Sequence, residues 1–256
     1  MADTWNPTQY DRFKAERSQP FYDLLALVQP SAGMRVVDLG CGTGALTAEL
    51  CKTLKVTECV GVDRSPSMLE DAKPHPAIPL RFELADVATW SPPIAPDLIF
   101  SNAALQWIED HPALFGRLTS LLSRKGQLAV QMPMNFDYPT HLVAHELENE
   151  EPFKRHLREP RRLGRMLTAE AYAVLLDDLG YTDQTVRVQV YPHHLDDRAQ
   201  VIEWAKGTLL TDYESRLGPE LFGIFLERYR ERLLPRLRDT RPFFYPFKPI
   251  LLWARR

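Results

Sequence analysis

A run of three glycines at alternate positions, Gly40, Gly42 and Gly44, constrains this chain more than any other feature. It directly follows the mostly apolar segment Arg35–Leu39, and a helical pattern resumes at Leu46. This order predicts a strand, a tight turn and a helix. Glycine is needed where the backbone takes a positive φ or touches a ligand closely. Because the free N–H groups at a helix start attract ligands, the turn is predicted to bind one.

Two classes of ligand use such a turn. Gly40, Gly42 and Ala45 fit the dinucleotide fingerprint, which tolerates alanine in its last place, so spacing alone admits NAD. Asp38 favours a different ligand, because a carboxylate there would repel a pyrophosphate and attract an ammonium and a sulfonium. S-adenosylmethionine carries both cations, and Asp38 with the three glycines is similar to the first motif of class I methyltransferases. A turn that merely connects strand and helix is the third interpretation.

A second acid ends the next predicted strand, at residues 59–63. Since a carboxylate offers paired acceptors in one plane, Asp63 is predicted to bind two ribose hydroxyls. A helix cap before Ser65 is its alternative role. Met68, at the start of the following helix, is expected either to lie against the adenine ring or to pack in the core.

Two further strand ends complete the predicted cofactor site. After the third strand, Asp86 and the backbone N–H of Val87 are expected to bind adenine, with a helix N-cap as the alternative for Asp86. After the fourth strand, Asn102 and Ala103 are expected near the methionine moiety. The predicted cofactor-binding residues are therefore Asp38, Gly40, Cys41, Gly42, Gly44, Asp63, Arg64, Met68, Asp86, Val87, Asn102 and Ala103.

Composition excludes several classes of function. The 256 residues are 45% hydrophobic and 25% charged, which is ordinary for a globular protein, and a net charge of −3 gives no case for nucleic acid. No uncharged apolar run approaches about 18 residues and the first residues are polar, so we expect a cytoplasmic protein without a membrane partner. The three cysteines lack metal-ligand spacing, which predicts reduced thiols and no metal site.

The order of the predicted elements indicates an α/β fold. Five nearly all-apolar strands separated by helices predict a parallel sheet that is covered on both faces. These strands are predicted at residues 35–39, 59–63, 78–84, 97–101 and 126–132. A first helix is predicted at 21–28 and others near 111–122 and at 168–178, and two more strands at 185–191 and 250–254.

Two insertions interrupt this α/β pattern. Residues 134–166 form an insert with an acidic block, expected to be a solvated helix face, and then a basic block interpreted as surface. Helices near 198–210 and 219–237 separate the last two strands, and with the insert they are predicted to cap the cleft at the carboxyl ends of the strands. The predicted organisation is a lid of 1–30, a core of 31–133, the insert 134–166, core 167–192, a helical cap of 193–246 and a last strand in 247–256.

Longer motifs extend the resemblance over nearly the whole chain. They are WNP at 5–7, DLGCGTG at 38–44, DLIFSNAALQW at 97–107, GQLAVQMP at 126–133 and PTH at 139–141. Together they are similar to the trans-aconitate 2-methyltransferase family. The resemblance implies a doubly wound, seven-stranded, mostly parallel Rossmann-like sheet whose last strand is antiparallel. It also implies methyl transfer from S-adenosylmethionine to a carboxylate of trans-aconitate, giving a monomethyl ester and S-adenosylhomocysteine.

A carboxylate acceptor sets the expected chemistry of the substrate site. It is ionised at neutral pH, so we expect no catalytic side chain, only cationic and hydroxyl groups that position a small anionic substrate. The predicted substrate-binding residues are Tyr10, Arg17, Trp107, His141, Arg241 and Tyr245. The chain is expected to be a monomer or a weak homodimer.

Three residues depart from the family pattern: Met134, Thr211 and Asp212. The family pattern has an arginine in the segment at 209–213, and both the loss of that arginine and the gain of Asp212 would weaken a tricarboxylate site if this segment faced the substrate. Two alternatives therefore stay open. The chain could methylate another small acid or an acyl thioester, or it could be a cofactor-binding module without catalysis.

Overall fold

The computed structural model describes residues 14–72, 79–157 and 166–256, with side chains from Ser18 onward in the first range. The chain forms two compact units. The sheet unit comprises Arg17–Pro133, Leu163–Gln189 and Pro249–Arg256, and the helical unit comprises Met1–Glu16, Met134–Arg162 and Val190–Lys248.

Nine strands are present among the described residues. They are β1 (Arg35–Leu39), β2 (Glu58–Asp63), β3 (Leu80–Leu84), β4 (Leu98–Asn102), β5 (Gln127–Pro133), β6 (Asp183–Val188), β7 (Tyr191–Leu195), β8 (Phe243–Phe247) and β9 (Pro249–Arg255). The helices are α1 (Lys14–Leu25), α2 (Ala45–Leu54), α3 (Pro66–Glu70), α4 (His111–Leu121), α5 (Pro139–Glu148), α6 (Phe153–His156), α7 (Ala169–Asp178), α8 (Gln200–Lys206) and α9 (Leu210–Leu233). Short 3₁₀ turns occupy Leu105–Trp107 and Leu234–Arg236.

The sheet unit is built on seven strands in the order β3-β2-β1-β4-β5-β9-β6. Strands β1 to β5 pair in parallel, whereas β9 runs antiparallel to both of its neighbours. Residues Leu98, Ile99 and Phe100 of β4 are at most 1% exposed, as expected for a parallel strand covered on both faces. The predicted seven-stranded α/β sheet with an antiparallel last strand is confirmed.

The first helix differs from its prediction. We expected it to follow Pro20, but α1 begins at Lys14 and contains Pro20. Proline inside a helix removes one backbone hydrogen bond. Buried Phe21 packs edge-on against Phe100 with ring centroids 5.3 Å apart, and Leu24 is fully buried. Tertiary packing of this kind stabilises a helix more than local residue preferences do. The sequence pattern reflects only the local preferences, so it predicted the start of α1 too late.

The sixth strand was also predicted too far along the chain. The structure places β6 at Asp183–Val188, and Gln189 then donates its backbone N–H to the Pro249 oxygen, 3.0 Å away, before the chain enters the helical unit. The alternation of Val186, Val188 and Val190 continues past this point, so the pattern does not mark the end of the strand. Val188 and Val190 are 41% and 48% exposed.

The helical unit contains a two-stranded antiparallel sheet of β7 and β8 that the sequence analysis missed. Each strand contains a proline, which weakens the strand signal. The predicted helix near 198–210 is shorter, as α8, and a further helical segment begins at Leu210. Gly218, with φ 71° and ψ 168°, interrupts α9, so a second segment starts at Pro219 as predicted.

Glu146 of the acidic block lies on α5 and is exposed, but this block also forms ion pairs that the sequence analysis did not predict. Glu146 binds both Nη atoms of Arg236 at 2.7 Å, and Glu150 binds those of Arg232 at 2.6 and 2.8 Å. These hydrogen bonds lower the pKa of both glutamates. The pairs connect α5 and the segment after it to α9 and the turn that follows. Most of the basic block lies outside the described residues.

None of the helices described is long and apolar enough to cross a bilayer. In the same part of the chain, no three histidine, cysteine or acidic side chains come together as a metal-binding group.

The central sheet should carry most of the stability of its unit. Leu98 in β4 is fully buried, whereas Leu84 at the end of β3 is 60% exposed. We expect Leu98→Ala to lower the free energy of unfolding by about 2 to 5 kcal/mol, because it leaves a cavity in a packed core. The matched Leu84→Ala variant should change it by less than about 0.5 kcal/mol. Urea unfolding followed by circular dichroism measures both, and equal losses would contradict this account of the core.

Candidate functional site

The glycine turn joins β1 to α2 at the carboxyl edge of the sheet. Gly40 has φ 79°, and a Cβ built on it would lie 2.1 Å from the Cβ of Ala104, so a side chain is excluded for two reasons. Gly42, with φ 55°, has no such neighbour within 4 Å. The N–H groups of Gly40 and Cys41 donate to the Val62 oxygen at 2.7 and 3.1 Å. The turn is therefore held on its inner side while its backbone at Gly42 borders open space.

Asp63 ends β2 beside this turn and holds it in place. Its Oδ2 accepts the Gly42 N–H at 2.8 Å, and its Oδ1 accepts the Ser65 N–H at 2.9 Å. Each carboxylate oxygen can accept more than one hydrogen bond, so both keep acceptor capacity for ribose hydroxyls. The cap role that we considered for Asp63 falls instead to Ser65, whose Oγ accepts the Met68 N–H at 3.2 Å.

Asp38 is a buried carboxylate in β1, only 4% exposed. Its Oδ2 accepts a 2.6 Å hydrogen bond from the hydroxyl of Thr47 in α2. Burial raises the pKa of Asp38 to about 7; the Thr47 hydrogen bond opposes this effect and the charge of Asp63 adds to it. Burial and the same two carboxylates also raise the pKa of the Cys41 thiol. Because like charges meet here, a cationic ligand would relieve the repulsion.

The loop after β3 has a defined turn at Asp86. The Asp86 Oδ1 accepts the Ala88 N–H at 2.8 Å, and its carbonyl accepts the N–H groups of Thr89 and Trp90 at 3.0 and 2.8 Å. The Asp86 side chain is exposed and Val87 is 9% exposed. Thus Asp86 caps a turn, and its second carboxylate oxygen remains able to accept a hydrogen bond.

The segment after β4 carries two buried amide oxygens. Ala103 takes the left-handed conformation, with φ 55°, and donates its N–H to Gln131 at 2.9 Å. Gln106 donates from Nε2 to the Ala103 oxygen at 2.8 Å. Among the described residues, the Asn102 Oδ1 and the Gln106 Oε1 have no hydrogen-bond partner although both atoms are buried. Such acceptors fit a ligand that donates hydrogen bonds.

The remaining predicted cofactor residues are placed at the same edge of the sheet. Arg64 follows β2 and is exposed, whereas Met68 in α3 is 6% exposed. The sequence analysis missed Thr47 and Gln106. Two sequence signals could have identified them. Thr47 is a threonine on an otherwise apolar helix face, and Gln106 directly precedes Trp107.

The predicted substrate residues are divided between the two units. Trp107 lies in the sheet unit, in the 3₁₀ turn after β4. His141, Arg241 and Tyr245 belong to the helical unit, and Tyr10 and the Arg17 side chain lie outside what the structure describes. That these residues bind the substrate stays a prediction.

Local contacts differ among the helical-unit members of this set. The His141 ring lies edge-on to Phe136 at 5.4 Å, and Tyr245 is 3% exposed against Tyr138 and Trp204. The Arg241 side chain is 79% exposed and lies 3.8 Å from the Asp197 carboxylate.

Comparison with known proteins agrees with the fold. Residues 10–186 match a family model described as a methyltransferase domain. Trans-aconitate 2-methyltransferases of Deinococcus radiodurans and Methylobacterium radiotolerans are each 42% identical; the alignments cover 99% and 90% of this chain and 98% and 88% of those proteins.

Solved structures support the same fold at low identity. The crystal structure of the YcgJ protein from Bacillus subtilis has a TM-score of 0.61 and 15% identity, and the match covers 93% of this chain and 97% of that one. Haemonchus contortus phosphoethanolamine N-methyltransferase 2 in complex with S-adenosylmethionine has a TM-score of 0.56 and 17% identity over 97% and 56% of the chains. The protein is a methyltransferase whose cofactor is S-adenosylmethionine. It belongs to the trans-aconitate 2-methyltransferase family.

The raised pKa of Asp38 predicts a pH effect on stability. Its ordinary value is 3.8 and its value in the folded chain is about 7, so the folded state binds more protons between these values. The contribution of Asp38 to stability is therefore greatest below about pH 4 and falls as the pH rises to about 7. The Asp38→Asn variant has no carboxylate at this position, so it does not lose this stability as the pH rises. We expect the stability of Asp38→Asn relative to wild type to increase from about pH 5 to pH 8.

Urea unfolding at several pH values measures this difference. Asp71→Asn, which changes an exposed acid in the same unit, is the matched control. Parallel stability curves for Asp38→Asn and wild type across the whole range would contradict the raised pKa.

Proposed function

We propose that this protein transfers the methyl group of S-adenosylmethionine to a carboxylate of trans-aconitate and forms a monomethyl ester. The observation that carries the proposal is the set of acceptors at four neighbouring strand ends, on a chain 42% identical to proteins named for this activity. Asp38 is the second-last residue of β1, Asp63 and Asn102 end β2 and β4, and Asp86 follows β3. These four strands are adjacent in the sheet. Parallel strands bring such residues to one edge.

The acceptors fit the chemistry of the cofactor. Asp38 would face its cationic methionine part, Asp63 its ribose, and Asp86 with the Val87 N–H its adenine. The unpaired amide oxygens of Asn102 and Gln106 suit its ammonium, which donates hydrogen bonds. When bound, S-adenosylmethionine supplies an electrophilic methyl group on a sulfonium.

The protein has little proton chemistry to perform in this reaction. A carboxylate acceptor has an ordinary pKa of about 4 and is already ionised at neutral pH, so it needs no general base. The residues of the site therefore bind, orient and exclude water. Orientation alone can lower a barrier by roughly 7 to 11 kcal/mol. We propose that the residues that contact the substrate are among six predicted ones: Tyr10, Arg17, Trp107, His141, Arg241 and Tyr245.

The structure weakens one argument against a tricarboxylate substrate. Asp212, a departure from the family pattern, lies 3.3 Å from the guanidinium of Arg216, and its side chain is 10% exposed. Because this partner offsets its charge, Asp212 repels a bound anion less than an isolated carboxylate would. Thr211 is 8% exposed and donates its hydroxyl to the Thr208 oxygen at 2.7 Å, so it acts within its helix. Neither departure requires a different substrate.

The activity predicts a labelled ester. Incubation of the protein with methyl-labelled S-adenosylmethionine and trans-aconitate should transfer label to a product that mild base hydrolyses, since esters are base-labile. Radiometric counting before and after base treatment measures it. A panel of small mono-, di- and tricarboxylic acids and acyl thioesters is the control for specificity.

The outcomes of that assay are distinct. Label in trans-aconitate above all other acceptors supports the proposal. Stronger labelling of another acid or of a thioester would mean that the substrate is not trans-aconitate but that the protein still transfers a methyl group. Cofactor binding without consumption on any acceptor would identify a binding module and would contradict the proposal.

Ribose binding by Asp63 gives a second prediction. Asp63→Asn replaces one acceptor oxygen with an NH₂ group, which cannot accept from a ribose hydroxyl or from the Gly42 N–H. We expect calorimetry to show at least about tenfold weaker binding of S-adenosylhomocysteine, equivalent to about 1.4 kcal/mol. Asp71→Asn at the exposed end of α3 should stay within about twofold of wild type. Unchanged affinity in Asp63→Asn would remove Asp63 from the ribose site.

A further inference from the structure

Arg117 on α4 reaches the loop after β3 and binds two of its carbonyl groups. Its Nη1 donates to the Trp90 oxygen at 2.7 Å, and its Nη2 donates to the Val87 oxygen. Arginine presents its donors in a fixed planar fork, so two bonds from one guanidinium fix the separation of the two carbonyls. The loop is therefore attached to a helix that starts more than 20 residues later in the chain.

This contact is unusual for a surface arginine. The Arg117 side chain is half-buried, and among the described residues it forms no ion pair within 4 Å. Burial lowers the pKa of Arg117, and the charge of Asp86 opposes that shift. Desolvating a guanidinium is costly unless its donors are used. Two backbone carbonyls of a single loop accept from Nη1 and Nη2, whereas the buried Nε has no hydrogen-bond partner among the described residues.

The bound loop is held by hydrogen bonds at several further points. Asp86 closes its turn through Ala88, Thr89 and Trp90, as described above. The Trp90 indole N–H donates to Glu83 in β3 at 2.6 Å, so the loop is also attached at its far end. The carbonyl of Val87 points to Arg117, and the peptide N–H of the same residue is one of the proposed adenine donors. By binding the Val87 carbonyl, Arg117 restricts the backbone next to this N–H without needing to touch a ligand.

We propose that Arg117 is a positioning residue that selects adenine, because it holds the Asp86–Val87 segment where a carboxylate acceptor and a peptide donor face the base. This inference rests on the proposed cofactor site and concerns the base it accepts. Adenine offers an exocyclic amine as donor and a ring nitrogen as acceptor. Hypoxanthine offers a carbonyl and a ring N–H instead, so it mismatches both groups. A rigid loop rejects it, whereas a loosened loop adapts to either base.

Binding of two product analogues tests the proposal. Calorimetry with S-adenosylhomocysteine and S-inosylhomocysteine gives the base preference of each protein, and no methyl acceptor is needed. We expect wild type to prefer the adenosyl compound by at least about tenfold. Arg117→Lys keeps the charge but loses the fork, so it should weaken adenosyl binding by about tenfold and leave inosyl binding within about twofold. The preference for adenine should then almost disappear.

Two further variants control for a general loss of structure. Arg198→Lys is the matched control, because its guanidinium also donates to two carbonyls, of Leu234 and Leu237, but in the helical unit. It should keep the wild-type preference. Trp90→Phe removes the indole bond to Glu83 and loosens the same loop from its other end, so it should reduce the preference partway. Thermal unfolding establishes that each variant is folded.

The contrary results are equally specific. Equal weakening of both analogues by Arg117→Lys, with the preference intact, would reduce Arg117 to a structural role and overturn the proposal. Equal binding of both analogues by the wild type would overturn it as well, since the protein would then have no preference for adenine that Arg117 could control. Failure of methyl transfer to trans-aconitate by wild type would overturn the proposed substrate alone, because these binding measurements use no acceptor.

Discussion

The close approach between Gly40 and Ala104 is the contact on which the cofactor site depends. These residues follow β1 and β4, the neighbouring strands between which the chain order of the sheet reverses. Ligands of open α/β sheets bind at such a switch point, where connections on either side leave a crevice. A side chain at Gly40 would separate the two segments. Because Gly40 has no Cβ, the two segments lie close together, and the Gly42 N–H of the same turn donates to Asp63.

The buried carboxylate of Asp38 in that crevice lowers the stability of the folded state as the pH rises to about 7. Asp38 is buried with a single neutral hydrogen-bond donor, Thr47, and faces the charge of Asp63. An uncompensated buried carboxylate disfavours the folded state above its raised pKa. A cationic ligand would offset this deficit by neutralising the pair, so part of its affinity would come from relief of the repulsion between Asp38 and Asp63.

Local signals explain which parts of the site could be predicted from the sequence. Asp38, the glycines and Asp63 lie within one strand-turn-helix-strand segment, where spacing along the chain determines spacing in the fold. Arg117 lies 30 residues from Val87, and the pairs of Glu146 with Arg236 and Glu150 with Arg232 span 90 and 82 residues. Contacts of this range leave no local pattern. The sequence analysis therefore did not predict these ion pairs and left Arg117 unmentioned.

Charge pairing within the helical unit narrows the search for a substrate clamp. Its arginines at 198, 216, 232 and 236 have carboxylate partners between 2.6 and 3.3 Å away, and a substrate that used one of them would have to displace that partner. Arg241 is much less committed, with its carboxylate neighbour at 3.8 Å and a side chain that is 79% exposed. Replacing a solvated contact costs less than breaking a short bidentate pair. A substrate carboxylate could therefore engage Arg241 at a lower cost than any of these four arginines, two of which, Arg232 and Arg236, connect α9 and the turn after it to α5 and the segment that follows α5.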